Sequence, residues 1–318
     1  MWQSRSHIGR SRVRKNGLPR QHRHGLSLFE LIVAMAILAM LFGIALPAIQ
    51  SVRESARRMQ CANNLRQIGT SLFTYHDSFG SFPPGWMEHG ESASGWGWAS
   101  SILPQIGQGA LAKEAHFEFP IGDHRNDAVR LERLALFVCP SDLATDRFWL
   151  YKDDELGGDD HAAASMSRMP SKEDRLFELA TANYVGVFGT SDPDEVSETA
   201  GTGAFLGDCA MRIANFVDGL SQSFLVAERT SSQLPSTWVG MHPEGEEGPT
   251  RVVGCANLGM NNHQADECEF SSRHPHGAQF LMGDGRVVFL SEGIDRSTYR
   301  SMAARSDRLI ANETGATQ

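Results

Sequence analysis

The chain has 318 residues, 41% hydrophobic and 21% charged, with 38 Asp and Glu against 29 Lys and Arg. That balance is ordinary for a globular protein, and the length allows one sizeable domain or two small ones behind an anchor. An acidic body offers no stripe of bases to release counterions from a phosphate backbone, which excludes nucleic acid as a partner.

The charge is unevenly placed. Residues 1–25 hold seven Arg and Lys and no acid, so 22 of the 29 bases are left to face all 38 acids in the remainder. Residues 26–46 then carry a single ionisable side chain, Glu30. At ~1.5 Å per helical residue this run reaches roughly 30 Å, about one hydrocarbon core, so membrane lipid is the first expected partner. Bases stay on the cytoplasmic side, which predicts a single pass through a membrane, a cytoplasmic N-terminus and an acidic bulk outside. A carboxylate at membrane depth is unfavourable by a few kcal/mol, so Glu30 calls for a role. A cleaved secretory signal with small residues near Gly43-Ile44-Ala45 would also place an apolar run here. Against it, helical apolar spacing continues beyond Pro47, which kinks the helix without ending it.

The order of basic leader, Gly25, Leu26, Glu30 and Pro47 resembles the type IV prepilins and the type II secretion pseudopilins. The resemblance implies cutting by a prepilin peptidase between Gly25 and Leu26, methylation of the new amine on Leu26, and use of Glu30 in assembly with like pilin or pseudopilin subunits. Leu26 is a mild departure from the phenylalanine usual after the cut. An amine at Leu26 and the Glu30 carboxylate stand four residues apart on one helical face. They could pair within one subunit, or between axially shifted neighbours, which would set the register of a polymer.

Apolar residues at Ile49, Val52, Ala56, Met59, Cys61, Leu65, Ile68, Leu72, Tyr75 and Phe79 keep helical spacing, with Arg53, Glu54, Arg57, Arg58 and Arg66 expected to face water. The predicted organisation is a leader (1–25), a transmembrane helix (26–47), an amphipathic stem helix (48–79) ended by Gly80 and Pro83-Pro84-Gly85, an exported β-rich domain (80–311) and a disordered tail (312–318). The fold class is α+β, a long N-terminal helix packed on a mainly antiparallel domain in the manner of pilins. Short helices are predicted within 95–105, over 127–137 and over 297–304. Strands are predicted at 184–188, 213–216, 223–226, 279–282 and 286–290, the last two joined by a hairpin in which Asp284-Gly285 supplies the positive backbone dihedrals. Residues 153–174 read as an irregular insertion. Its acids, among them Asp153, Asp154 and Asp159, lack the alternating pattern of a calcium loop and are expected to be solvated.

Residues 57–69 (Arg-Arg-Met-Gln-Cys-Ala-Asn-Asn-Leu-Arg-Gln-Ile-Gly), Cys139-Pro140-Ser141-Asp142, Asn183-Tyr184-Val185-Gly186, Asp218-Gly219-Leu220-Ser221, and His274 followed after nine residues by Asp284-Gly285 resemble a large bacterial prepilin-like family of unknown function. The resemblance spans nearly the whole mature chain. One departure is His276, where the family more often has glycine.

Five cysteines fit an exported domain with one or two disulfides. Spacing does not fix the pairing; the expectation adopted is Cys61 with Cys139 and Cys255 with Cys268, leaving Cys209 free. No Cys-x-x-Cys pair occurs, so zinc is disfavoured, and neither a metal nor a cofactor is expected. His274, Asp284, Glu228, His242 and His263 are the candidates for an acid–base or metal site. His274 and Asp284 could meet across a hairpin, and the expected bond locks a loop onto a turn. Without a serine-nucleophile motif, a phosphate loop, a dinucleotide fingerprint or a His-Glu-x-x-His helix, no enzyme is expected. The alternative to a pseudopilin-like subunit is a membrane-anchored module that holds a glycan or peptide near Trp96, Trp98 or the acidic insertion. Packing is the favoured use of the two tryptophans.

Overall fold

The computed structural model describes residues 27–87, 95–153, 172–262 and 264–306. Gly25, Leu26, His263, most of the 153–174 insertion and the 312–318 tail lie outside them. Helix α1, Leu28–Phe79, is 52 residues long and keeps Pro47 in its interior. The chain divides into two compact units, residues 1–51 and 52–318.

In the first unit the side chains of Leu28, Phe29, Ile32, Met35, Leu41 and Phe42 are all exposed. So many contiguous apolar side chains are unfavourable in water. Helix α1 is long and apolar enough to cross a membrane.

In the second unit α1 buries Cys61, Leu65, Ile68 and Leu72, while Val52, Met59 and Phe79 stay exposed, so the packed stripe is shorter than the sequence pattern predicts. Gly69 explains the close fit at its centre. A Cβ there would stand 2.8 Å from Leu281 Cδ1. The missing side chain lets the helix seat on the sheet.

Two antiparallel pairs precede the main sheet, β1 (Trp86–Met87) with β2 (Trp96–Gly97) and β3 (Arg147–Tyr151) with β4 (Arg175–Ala180). The main sheet has five strands, β5 (Tyr184–Gly189), β6 (Phe224–Glu228), β7 (Val253–Cys255), β8 (Gly277–Met282) and β9 (Val287–Ser291), in the order β7-β5-β6-β8-β9. Among the described residues of this sheet, only the β5–β7 pair is parallel. Strand β5 is buried along its whole length. Its alternate side chains serve two cores, as strand geometry requires. Tyr184 and Phe188 join the core shared with α1 and the four tryptophans Trp86, Trp96, Trp98 and Trp238. Val185 and Val187 join Phe224, Phe280 and Tyr299 in the other core, which includes the C-terminal helix Arg296–Ala303. The fold is α+β.

Two predicted elements differ. The 127–137 helix is a single turn, Asp127–Arg130, followed by a 3-10 turn at Ala135–Phe137. The Glu132 carbonyl accepts the Trp238 indole N–H at 3.0 Å, so a tertiary bond takes a group that a helix would have used. Residues 213–216 form a 3-10 turn, Ile213–Asn215, instead of a strand. There Asn215 Oδ1 accepts the Arg212 N–H at 2.7 Å, the local side-chain bond that competes with a ladder.

Candidate functional site

Two places hold the sequence-predicted residues. The first is the start of α1, where the Ser27 N–H donates to Glu30 Oε2 at 2.9 Å and the Glu30 N–H donates to Ser27 Oγ at 3.2 Å. This is a reciprocal capping box, which satisfies two of the helix's orphan donors. Ser-x-x-Glu at residues 27–30 was its signal in the sequence, and it gives Glu30 a local partner besides any amine at Leu26.

The second place lies where α1, the loop after Phe137, the end of β6 and the segment before β8 converge. Cys61, Cys139, Glu228 and His274 bring one donor atom each to within 4.8 Å of one another, all buried. His274 Nδ1 stands 2.6 Å from Glu54 Oε1 on α1. Its Nε2 lies 3.6 Å from Cys139 Sγ and 3.4 Å from Glu228 Oε1. Glu228 Oε2 accepts from Ser272 Oγ at 2.9 Å and from the Gln279 N–H at 2.8 Å. Glu228 Oε1 is buried without a hydrogen-bond partner.

Backbone features aim these side chains. Asn183 Oδ1 accepts the Cys139 N–H at 3.0 Å, and its amide donates to Asp142 Oδ2 at 2.6 Å, so the Cys-Pro-Ser-Asp loop is clamped to the entry of β5. Ser272 Oγ also accepts the His274 N–H at 3.2 Å. His276 has φ +67°, the left-handed conformation that glycine adopts freely and other residues seldom do.

The electrostatics follow from burial and these contacts. Burial opposes the imidazolium of His274, but its contacts with Cys139 and Glu54 together with the nearby Glu228 charge outweigh it and push its pKa up to about 10. The contact with Cys61, helped by His274, draws the Cys139 thiol down to about 7, while the same sulfur contact and burial push Cys61 up.

Several expectations are corrected here. The structure holds Cys255 and Cys268 as a disulfide, S–S 1.99 Å, whereas Cys61 and Cys139 are free thiols with sulfurs 2.7 Å apart. That separation exceeds a bond of about 2.05 Å. Glu54, expected to face water, is half-buried against His274. The expected His274–Asp284 bond is replaced by these contacts, and Asp284 instead accepts from Arg286 Nε at 2.7 Å in the β8–β9 turn, where Gly285 has φ +85°. His242 Nδ1 accepts the Glu244 N–H at 3.2 Å and stays out of the cluster. Trp96 and Trp98 are buried and donate their indole N–H groups to the carbonyls of Phe119 and Val252. They offer no surface platform. The sequence placed the cluster's members in separate motifs with no metal-type spacing, so only their convergence on one helix face reveals it.

An apolar exposed helix, opened by the Ser27/Glu30 cap and preceded by a basic leader, defines a membrane-anchored prepilin-like protein, and residues 20–46 match the prokaryotic N-terminal methylation motif. Residues 50–297 match the family described as protein of unknown function (DUF1559), and the chain belongs to that family. No curated protein and no solved structure matches it.

Proposed function

We propose that the chain is a pseudopilin-like structural subunit of a type II secretion or type IV pilus-like system. Prepilin peptidase cuts between Gly25 and Leu26, the amine of Leu26 is methylated, and α1 anchors the product in the inner membrane with its N-terminus cytoplasmic and its domain on the outer side. Neighbouring subunits then bundle through α1, with Glu30 setting register. The observation that carries this reading is the methylation motif over residues 20–46 on a helix whose apolar side chains are exposed. The domain's role is structural and not enzymatic, in keeping with a sequence that carries none of the nucleophile or phosphate-loop motifs. The burial of Trp96 and Trp98 speaks against a glycan platform at those residues.

Mass spectrometry of the chain isolated from native membranes is the test. The expected product begins at Leu26 and carries one added methyl group; a chain that keeps residues 1–25, or begins beyond Ala45, removes the reading. Glu30→Leu is expected to insert into membrane normally while subunit–subunit cross-linking through α1 falls about tenfold, equivalent to about 1.4 kcal/mol. Undiminished cross-linking would take Glu30 out of assembly.

A further inference from the structure

We propose that Cys61, Cys139, His274 and Glu228 are the four ligands of a structural site for one divalent transition-metal ion of the zinc class, which ties α1 to the Cys139 loop and the sheet. The donor types are those that zinc takes, and four protein ligands close the shell, as in sites that hold folds together. Zinc bonds of about 2.0–2.3 Å make the edges of a tetrahedron about 3.3–3.8 Å long. The His274 Nε2 edges to Cys139 Sγ and Glu228 Oε1 are 3.6 and 3.4 Å. The sulfur–sulfur edge, 2.7 Å, must open by about 1 Å to admit the ion, and the remaining three edges lie within 4.8 Å.

The surroundings prepare His274 and Glu228 for a cation. Glu54 at His274 Nδ1 holds the proton on that nitrogen and turns Nε2 inward, the carboxylate–histidine–metal arrangement. Glu228 has one oxygen satisfied and the other, 3.4 Å from Nε2, without a hydrogen bond. A buried polar atom left so is unfavourable. A Cys61–Cys139 disulfide would use the same two sulfurs and leave Glu228 Oε1 facing the His274 ring alone, whereas an ion that takes the place of the Nε2 proton serves all four donors together. A small cavity bordered by Asp142, Asn183 and Ser272 touches two of the four ligands, Cys139 and Glu228.

The test uses the full chain, purified in detergent from native membranes without reductant or chelator. Elemental analysis is expected to find one zinc ion per chain. Alkylation in denaturant with chelator but no reductant should label Cys61 and Cys139, with Cys255–Cys268 left intact. Chelation should lower Tm and Zn2+ alone should restore it, while Co2+ in its place should give a thiolate-to-metal charge-transfer band. Glu54→Gln leaves all four ligands in place and is expected to weaken Zn2+ binding about 10–100-fold; unchanged affinity would overturn the role given to Glu54. A wild-type chain that holds no metal and takes up neither Zn2+ nor Co2+, or one whose peptide map contains a Cys61–Cys139 disulfide, overturns the site. Because the decisive readings are on the wild-type chain, ligand variants that fail to fold do not blur the result.

Discussion

Glu228 and Arg229 are consecutive residues at the end of β6, both buried and both ionisable, and the fold uses them in opposite ways. Arg229 donates from Nε and Nη2 to Ser236 Oγ, and from its terminal nitrogens to the carbonyls of Val253, Thr250 and Glu267. Those contacts take up the five N–H groups a guanidinium offers. Burial draws its pKa down to about 9, and the Arg251 charge adds to that, but nearby Glu247, Asp194 and Asp192 favour its charged form. Glu228, facing the other way, keeps one oxygen free of hydrogen bonds among two sulfurs and an imidazole. A buried charge with all its bonds spent on chain segments holds the fold. One with an atom to spare can hold something else.

Arg229→Lys gives the hardest test of the first half of that contrast. An ammonium has three donors and no planar fork, so it cannot make the five bonds that the guanidinium makes to Ser236 Oγ and the three carbonyls. Loss of stability by about 2–4 kcal/mol, from the two buried acceptors left without a donor, is expected in urea unfolding of the full chain in detergent. A lysine variant as stable as wild type would mean that the guanidinium bonds are not what secures this region. Asn183→Ala comes next, because that side chain joins both regions, accepting from the Cys139 N–H while donating to Asp142 and, at 3.1 Å, to the Arg229 carbonyl. A loss of about 1–3 kcal/mol is expected. In metal-free protein Cys139 should also become faster to alkylate than in wild type. Unaltered alkylation would show that the loop is held by other bonds.

How much of this was readable beforehand depends on how local each signal is. Apolar runs, Gly80, the prolines and Asp284-Gly285 act within a few residues, so the long helix, β5 and the β8–β9 hairpin were legible. The stripe on α1 was legible in direction but not in length, since Val52 and Met59 have the right spacing and simply lack a partner surface. Glu54 was misread for the converse reason. Its position suggests water, but His274, far along the chain, arrives to bind it. The cluster depends wholly on such meetings: α1 supplies Cys61, a loop Cys139, β6 Glu228 and the segment before β8 His274. The sequence motifs around each were visible, but their shared centre exists only once helix, sheet and loop are stacked.

The smallest expected effect concerns the acids on Arg229's side. Asp192, Asp194 and Glu247 lie near Arg229 and Arg251, with Asp266 and Glu267 beside them, and burial pushes Asp192 up to about 7 and Glu247 up to about 8, the neighbouring carboxylates adding to the shift. A carboxyl whose folded pKa lies above its unfolded value of about 4 keeps its proton longer in the folded chain. The folded state then binds more protons at these carboxyls, so their contribution to stability is greatest below about pH 4 and declines as the pH rises towards 8. Each proton released lowers stability by at most about 1.4 kcal/mol per pH unit. Urea midpoints of wild type and Glu247→Gln, compared from pH 5 to 8.5, isolate the contribution, since every other titrating group is common to both chains. The variant is expected to have the flatter profile. Parallel profiles would mean that Glu247 is already ionised against Arg229 and Arg251, making this side an ion-paired network and not a set of protonated carboxyls held around a guanidinium whose own bonds go to carbonyls.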